Sequence, residues 1–194
     1  NVFHEHQGFH SLKSISDLSK KNGLTVSNVK EISSQGGSIR CEIKNEVKNV
    51  NDKIKKFINY EKKNRLFNTQ YLRSYKLKVL KHNVSMFTFL NKLKNKNKKI
   101  SVYGASGKGQ ALMQFCNIDH NLIDMVYDKS NLKKGRFTPG TNIKINLSRF
   151  ISRTKIDYML LLAWNLKTEI IKQEKTFLKK GGKFIIPFPK PRII

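Results

Sequence analysis

Two stretches of this sequence combine residue types at spacings that can do chemistry. The first is Gly104-Ala105-Ser106-Gly107-Lys108-Gly109. Ile100 and Val102 before it read as a short buried strand, and Gln110 to Phe115 after it as the start of a helix. A strand, a glycine turn and a helix N-terminus together favour an anion. Unpaired N–H groups and the positive end of the helix dipole face the turn, and glycines let a phosphate approach. Ser106, Gly107, Lys108 and Gly109 are the candidate contacts, with Lys108 adding a point charge. The spacing G-x-x-G-x-G is neither the dinucleotide fingerprint nor a P-loop, so a tight strand-to-helix turn without a ligand is the competing reading. Ile123 to Tyr127 read as a second strand ending at Asp128, roughly 20 residues on, where a carboxylate would meet a ribose hydroxyl. The second stretch is His4-Glu5-His6. Histidine titrates near neutrality and can take a proton from carbon. Metal binding and a purely structural role are the alternatives. The i, i+2 spacing is not the helical i, i+4 pair of a zinc protease.

The surrounding pattern is that of an α/β protein. Leu12 to Asn22 has the periodicity of an amphipathic helix stopped at Gly23, while Leu24–Val29 and Ile39–Ile43 alternate like strands around a Gln35–Ser38 turn. Asn51 to Leu93 is helical and basic, as one bent helix or two. From residue 98 a doubly wound order is predicted. It runs through a strand at 123–127, a basic turn Lys133–Gly140, a short helix at 147–152 and a strand Tyr158–Ala163 buried on both faces. A helix at 168–178 and a strand Lys183–Pro187 complete it. Asn165 then stands at a strand's carboxyl end, where open parallel sheets bind ligands.

Composition bounds the partners. The chain has 194 residues, and 39 Lys+Arg against 13 Asp+Glu give a net charge of +26. That balance suits an anionic ligand. The basic residues are mostly Lys scattered among Asn and Ile, without interleaved aromatics, so specific nucleic-acid binding is not expected. No apolar run approaches the ~20 residues of a membrane span, and Cys41 and Cys116 lack ligand spacing. A cytoplasmic protein is the expectation. The chain opens on Asn1, in what reads as the tail of a domain, which suggests a piece of a longer protein.

Six motifs in order, Phe3-His4-Glu5-His6, Gly36-Gly37-Ser38-Ile39-Arg40, Tyr103 to Gly109, Gly135 to Thr141, Leu162-Ala163-Trp164-Asn165 and Gly181-Gly182-Lys183-Phe184, carry a resemblance over nearly the whole chain. The sequence resembles the C-terminal half of the S-adenosylmethionine-dependent sugar C-methyltransferases, which act on nucleotide-linked 4-keto deoxysugars. The resemblance implies the tail of a methyltransferase domain over 1–47, a helical connector over 48–97 and a Rossmann-like C-terminal domain with a parallel sheet over 98–194. It implies His6 as the base, with Glu5 and His4 beside it. Ser106, Gly107, Lys108, Gly109, Asn165 and Arg40 would hold the nucleotide-linked sugar, a dTDP-sugar by resemblance. The methyl-donor loop and the cysteine-rich zinc domain of the family are absent from this sequence, so S-adenosylmethionine and zinc belong to the missing N-terminal half, and turnover by this chain alone is not expected. The family has a tyrosine where Phe3 stands. Two other readings compete: a dinucleotide-binding oxidoreductase domain, resting on the glycine turn and Asp128, and a basic nucleic-acid-binding module, resting on charge alone.

Overall fold

The computed structural model describes residues 8–34, 37–45 and 51–194, which divide into two compact units, 8–78 and 79–194. In the first unit α1 (Leu12–Lys21) begins at a reciprocal cap. Ser11 Oγ accepts from Ser14 N–H at 3.1 Å, and Ser14 Oγ accepts from Ser11 N–H at 2.9 Å. The next two donors of that helix are met by a side chain far away in sequence. The buried Glu61 carboxylate accepts from Leu12 N–H at 2.6 Å and from Lys13 N–H at 3.0 Å. Glu61 lies on α2 (Asp52–Lys63), so one carboxylate ties two helices together at the positive end of a helix dipole. Strands β1 (Thr25–Ile32) and β2 (Ser38–Lys44) pair antiparallel, and Leu12, Val26, Val29 and Ile54 form the small core beneath them.

The basic stretch is two helices. Residues 64–68 form a turn, with Arg65 in the left-handed region, before α3 (Thr69–Lys94). The second unit is an α/β sheet of six strands in the order β5-β4-β3-β6-β7-β8. The strands are β3 (Ile100–Tyr103), β4 (Val126–Asp128), β5 (Ile145–Leu147), β6 (Tyr158–Leu161), β7 (Lys183–Ile186) and β8 (Arg192–Ile193). All are parallel except β8. Helix α4 (Gly107–Phe115) follows β3, while α5 (Lys167–Gln173) and α6 (Lys175–Lys179) lie between β6 and β7. Met86, Leu90, Leu112 and Met113 cover one face with Ile100, Val102 and Leu160. Met159, Leu161, Ile170, Phe177 and Phe184 fill the other. The apolar run around β6 is thus buried on both sides, as parallel strands require.

Three local expectations need correction. The helix expected at 147–152 is strand β5 followed by a 3₁₀ segment, Ser148–Arg153. Strand β4 begins only at Val126, because Leu122 and Ile123 sit in a turn closed by the Asp119 carbonyl. The helix at 168–178 breaks at Glu174, which caps α5 and starts α6.

Candidate functional site at the carboxyl edge of the parallel sheet

Strand β3 has β4 on one side and β6 on the other, so the connections leaving it and entering β6 run in opposite directions across the sheet. Such a switch point opens a crevice at the carboxyl ends of the strands. The residues after β3 and β6 meet there. Leu162 N–H donates to Tyr103 O at 3.0 Å, and a side chain on Gly104 would lie 3.6 Å from the Ala163 Cβ. Gly104 has φ +96°, which only glycine adopts freely.

The two outer glycines of the turn therefore serve the backbone and the packing. Gly109 is buried, and a Cβ there would stand 2.6 Å from the Leu162 Cβ and 2.8 Å from its Cδ1. Its absence lets α4 press onto the end of β6. The helix begins at Gly107, three residues earlier than the apolar periodicity suggests, because Ser106 is its N-cap and accepts from Gly109 N–H at 3.1 Å. Gly107 is exposed at the mouth, and Ser106 and Lys108 are half-buried beside it. Asn165 is exposed two residues beyond Ala163 on the same rim.

Asp128 does not face outward toward a ribose. Its Oδ2 accepts from Ala105 N–H at 2.7 Å and from Lys133 Nζ at 3.2 Å, and its Oδ1 from Ser130 N–H at 2.9 Å. Lys133 also donates to the Ala105 carbonyl at 2.9 Å. Burial works against this carboxylate, but the Ser130 and Ala105 amides and the Lys133 ammonium outweigh it and hold the carboxyl below its ordinary range. The acidic residue closes the glycine turn from beneath, and an amide of the turn is spent on it. Lys133 carries no motif spacing; the only hint in the sequence is a lysine in the basic turn five residues past an acid at a strand end.

The Gly135–Thr141 motif is also explained from within. Thr138 and Thr141 are buried and share a hydrogen bond of 2.6 Å, Ile143 N–H donates to Thr138 Oγ1 at 2.9 Å, and Gln114 of α4 donates to Pro139 O at 2.9 Å. The first two bonds brace the loop internally, and the last docks it on α4. On the opposite face of the sheet Tyr103 donates to Glu174 Oε1 at 3.1 Å. Burial, with the Glu174 carboxylate beside it, holds the Tyr103 hydroxyl far above its usual range. Burial likewise raises the Glu174 carboxyl above its ordinary value, against the opposing pull of the Tyr103 bond and Lys129.

Farther along the rim lies a cluster of which only Trp164, in the Leu162–Asn165 motif, has a signal in the sequence. The His82 ring of α3 stacks on Phe188, centroids 4.6 Å apart and planes 13° apart, and Trp164 meets Phe188 edge-on at 4.8 Å. Three segments far apart in the chain supply it. Of the remaining expected residues, Arg40 is exposed on β2 of the first unit, opposite Lys30. His4, Glu5 and His6 lie outside the described residues, as does Gly36. Among the described residues there is no group of three or more His, Cys, Asp or Glu placed to hold a metal, and no helix long and apolar enough to cross a membrane. The buried Cys116 thiol is pushed up to about 11 by burial, which leaves it unreactive.

Comparison with known proteins agrees with this architecture. A family model described as C-methyltransferase C-terminal domain matches residues 33–189. The chain is 32% identical over 198 aligned residues to the C-methyltransferase NovU of Streptomyces niveus, an alignment covering 100% of this chain and 46% of that protein. The chain thus spans about half the length of its curated relative. With the family model reaching from β2 past the end of β7 and the relative aligned end to end, the Rossmann-like sheet and its ordered motifs place this chain in the C-methyltransferase C-terminal domain family.

Proposed function

We propose that this chain is the C-terminal part of a sugar C-methyltransferase, and that its second unit holds the diphosphate of a nucleotide-linked deoxysugar, a dTDP-sugar by family resemblance, at the Gly104–Gly109 turn. The observation that carries the reading is the convergence at one switch point of the exposed Gly107, the α4 N-terminus, Lys108 and the Ala163–Asn165 rim, in a chain of this family. Helix dipole and lysine charge favour a phosphate there. In the reaction, a ketone acidifies the neighbouring C–H of the sugar and His6 takes that proton, leaving a carbanion-like enolate as the methyl acceptor. Glu5 favours the imidazolium that His6 becomes. General-base catalysis of this kind contributes ~10²–10⁴-fold.

The methyl donor of such an enzyme is S-adenosylmethionine. The residues of the turn do not fit it: a sulfonium cation gains nothing from a helix N-terminus flanked by lysines, and the Asp128 carboxylate that would hold a ribose is already bonded to Ala105, Ser130 and Lys133. The donor is therefore held elsewhere than at this turn. The same engagement of Asp128 removes the main support for a dinucleotide-binding oxidoreductase, and scattered lysines alone remain for a nucleic-acid module.

A thermal-shift panel with dTDP, a dTDP-sugar, NAD and S-adenosylmethionine at two salt concentrations tests the reading. A ligand at 100 times its Kd adds ~2.7 kcal/mol, a shift of a few degrees for a chain of this size. Stabilisation by dTDP or its sugar, weakening with salt, is expected. Stabilisation by NAD alone would overturn the proposal, and silence from all four would remove the diphosphate site from this half.

A further inference from the structure

Phe188 lies two residues beyond the end of β7 and is 36% exposed, and the half-buried Trp164 is the residue after Ala163, which packs against Gly104. Strands β6 and β7 are parallel neighbours, so both aromatics stand on the same carboxyl rim as the glycine turn. His82 backs Phe188 from α3. Its ring lies nearly parallel to the phenyl, burial holds it below its ordinary pKa, and the Pro189 carbonyl accepts from it. Its Nε2 is buried with no hydrogen-bond partner among the described residues. The imidazole is therefore packed as a neutral flat ring that fixes the Phe188 plane. Trp164 meets Phe188 edge-on and is itself anchored by packing against the core of this unit. Neither the diphosphate nor the ketone chemistry uses any of these three residues.

We infer that Trp164 and Phe188, backed by His82, form a stacking wall that receives the base of the nucleotide. This rests on the reading of the glycine turn as a diphosphate site. Aromatic walls accept any base because every base has a π-face, and stacking of this kind contributes about tenfold or more per base. The wall carries no charge of its own to select a phosphate. It begins one residue along the rim from the Ala163–Gly104 contact, so a ligand whose diphosphate sits in the turn would carry its base past Trp164.

The chain contains one tryptophan, so its fluorescence reports Trp164 alone. Titrations with dTDP, thymidine and inorganic pyrophosphate, read by that emission and by calorimetry, test the inference. dTDP and thymidine should change the emission saturably, while pyrophosphate should bind without changing it. Phe188→Leu should weaken dTDP and thymidine about tenfold and leave pyrophosphate as tight as before, which also shows that the variant is folded. If dTDP binds with no change in emission and Phe188→Leu binds it equally well, the wall is wrong and the nucleotide-sugar reading survives. dTDP no tighter than pyrophosphate also overturns the wall. A thymidine response without pyrophosphate binding upholds the wall and overturns the diphosphate assignment. Binding of none of the three overturns both. The emission arm needs no variant, so a misfolded Phe188→Leu does not leave the question open.

Discussion

Replacing Asp128 with alanine should unlatch the glycine turn, and the loss can be worked out from the structure. The carboxylate takes hydrogen bonds from the Ala105 and Ser130 amides and from Lys133, and its side chain is only 13% exposed. Hydrogen bonds to a charged group contribute ~1.5–3 kcal/mol each. Lys133 is 39% exposed and recovers most of its loss from water. The Ala105 amide, under the turn, recovers least. The sum is about 3 kcal/mol, which for a chain of this length lowers Tm by about 6–12 °C. Asp128→Asn keeps a neutral acceptor for one amide and should cost about half as much. The pH dependence has a definite sign. The folded carboxyl is held below its unfolded value of 3.8, so its stabilisation is complete above that value and disappears as pH falls through the depressed one. The gap between wild type and Asp128→Ala should therefore be constant near neutrality and begin to close as pH falls below the unfolded value of 3.8. Melts followed by Trp164 emission report this unit directly. A Tm for Asp128→Ala within about a degree of wild type at pH 7, or a gap that persists unchanged at pH 3, would refute the latch.

Gly109→Ala should destabilise despite alanine's better helix propensity, since the ~1 kcal/mol of propensity opposes overpacking of ~1–3 kcal/mol against Leu162; a rise in Tm would show that the glycine is there for another reason. Glu174→Gln should stabilise the fold at neutral pH while matching wild type in acid. Burial raises the Glu174 carboxyl, so the carboxylate's penalty is absent below its unfolded value and grows as pH rises through the folded one. Chemical denaturation across that pH range measures the difference, and equal stabilities at neutral pH would sink the assignment.

Much of the fold was legible in the sequence because its signals are local. Gly23 stops α1 as expected, and the two alternating strands pair as their shared apolar face demands, whereas the cap is Ser11 and not Ser14 or Ser16, which lie inside the helix. The Gly104–Gly109 turn stands out because no other residue provides φ +96° freely. What misled was also local. The 147–152 segment carries Leu and Ile at helical spacing, yet its first residue is claimed by β4 through strand pairing, and a three-residue strand is too short to announce itself. Asp128 was legible as an acid at a strand end, but not its direction, which Lys133 and two amides decide.

The sequence by itself determined the class of the protein, because strand–turn–helix units with glycines and caps at fixed offsets are set by backbone sterics and periodicity within a few residues. It also determined the family, through six motifs in order. Only the tertiary structure decided which of those residues touch. It joined Glu61 to the start of α1, turned Asp128 inward, and brought His82, Trp164 and Phe188 to one rim. Hydrogen bonds and ring contacts between residues tens of positions apart depend on strand order and on which face of the sheet each helix covers, and no spacing along the chain encodes those choices.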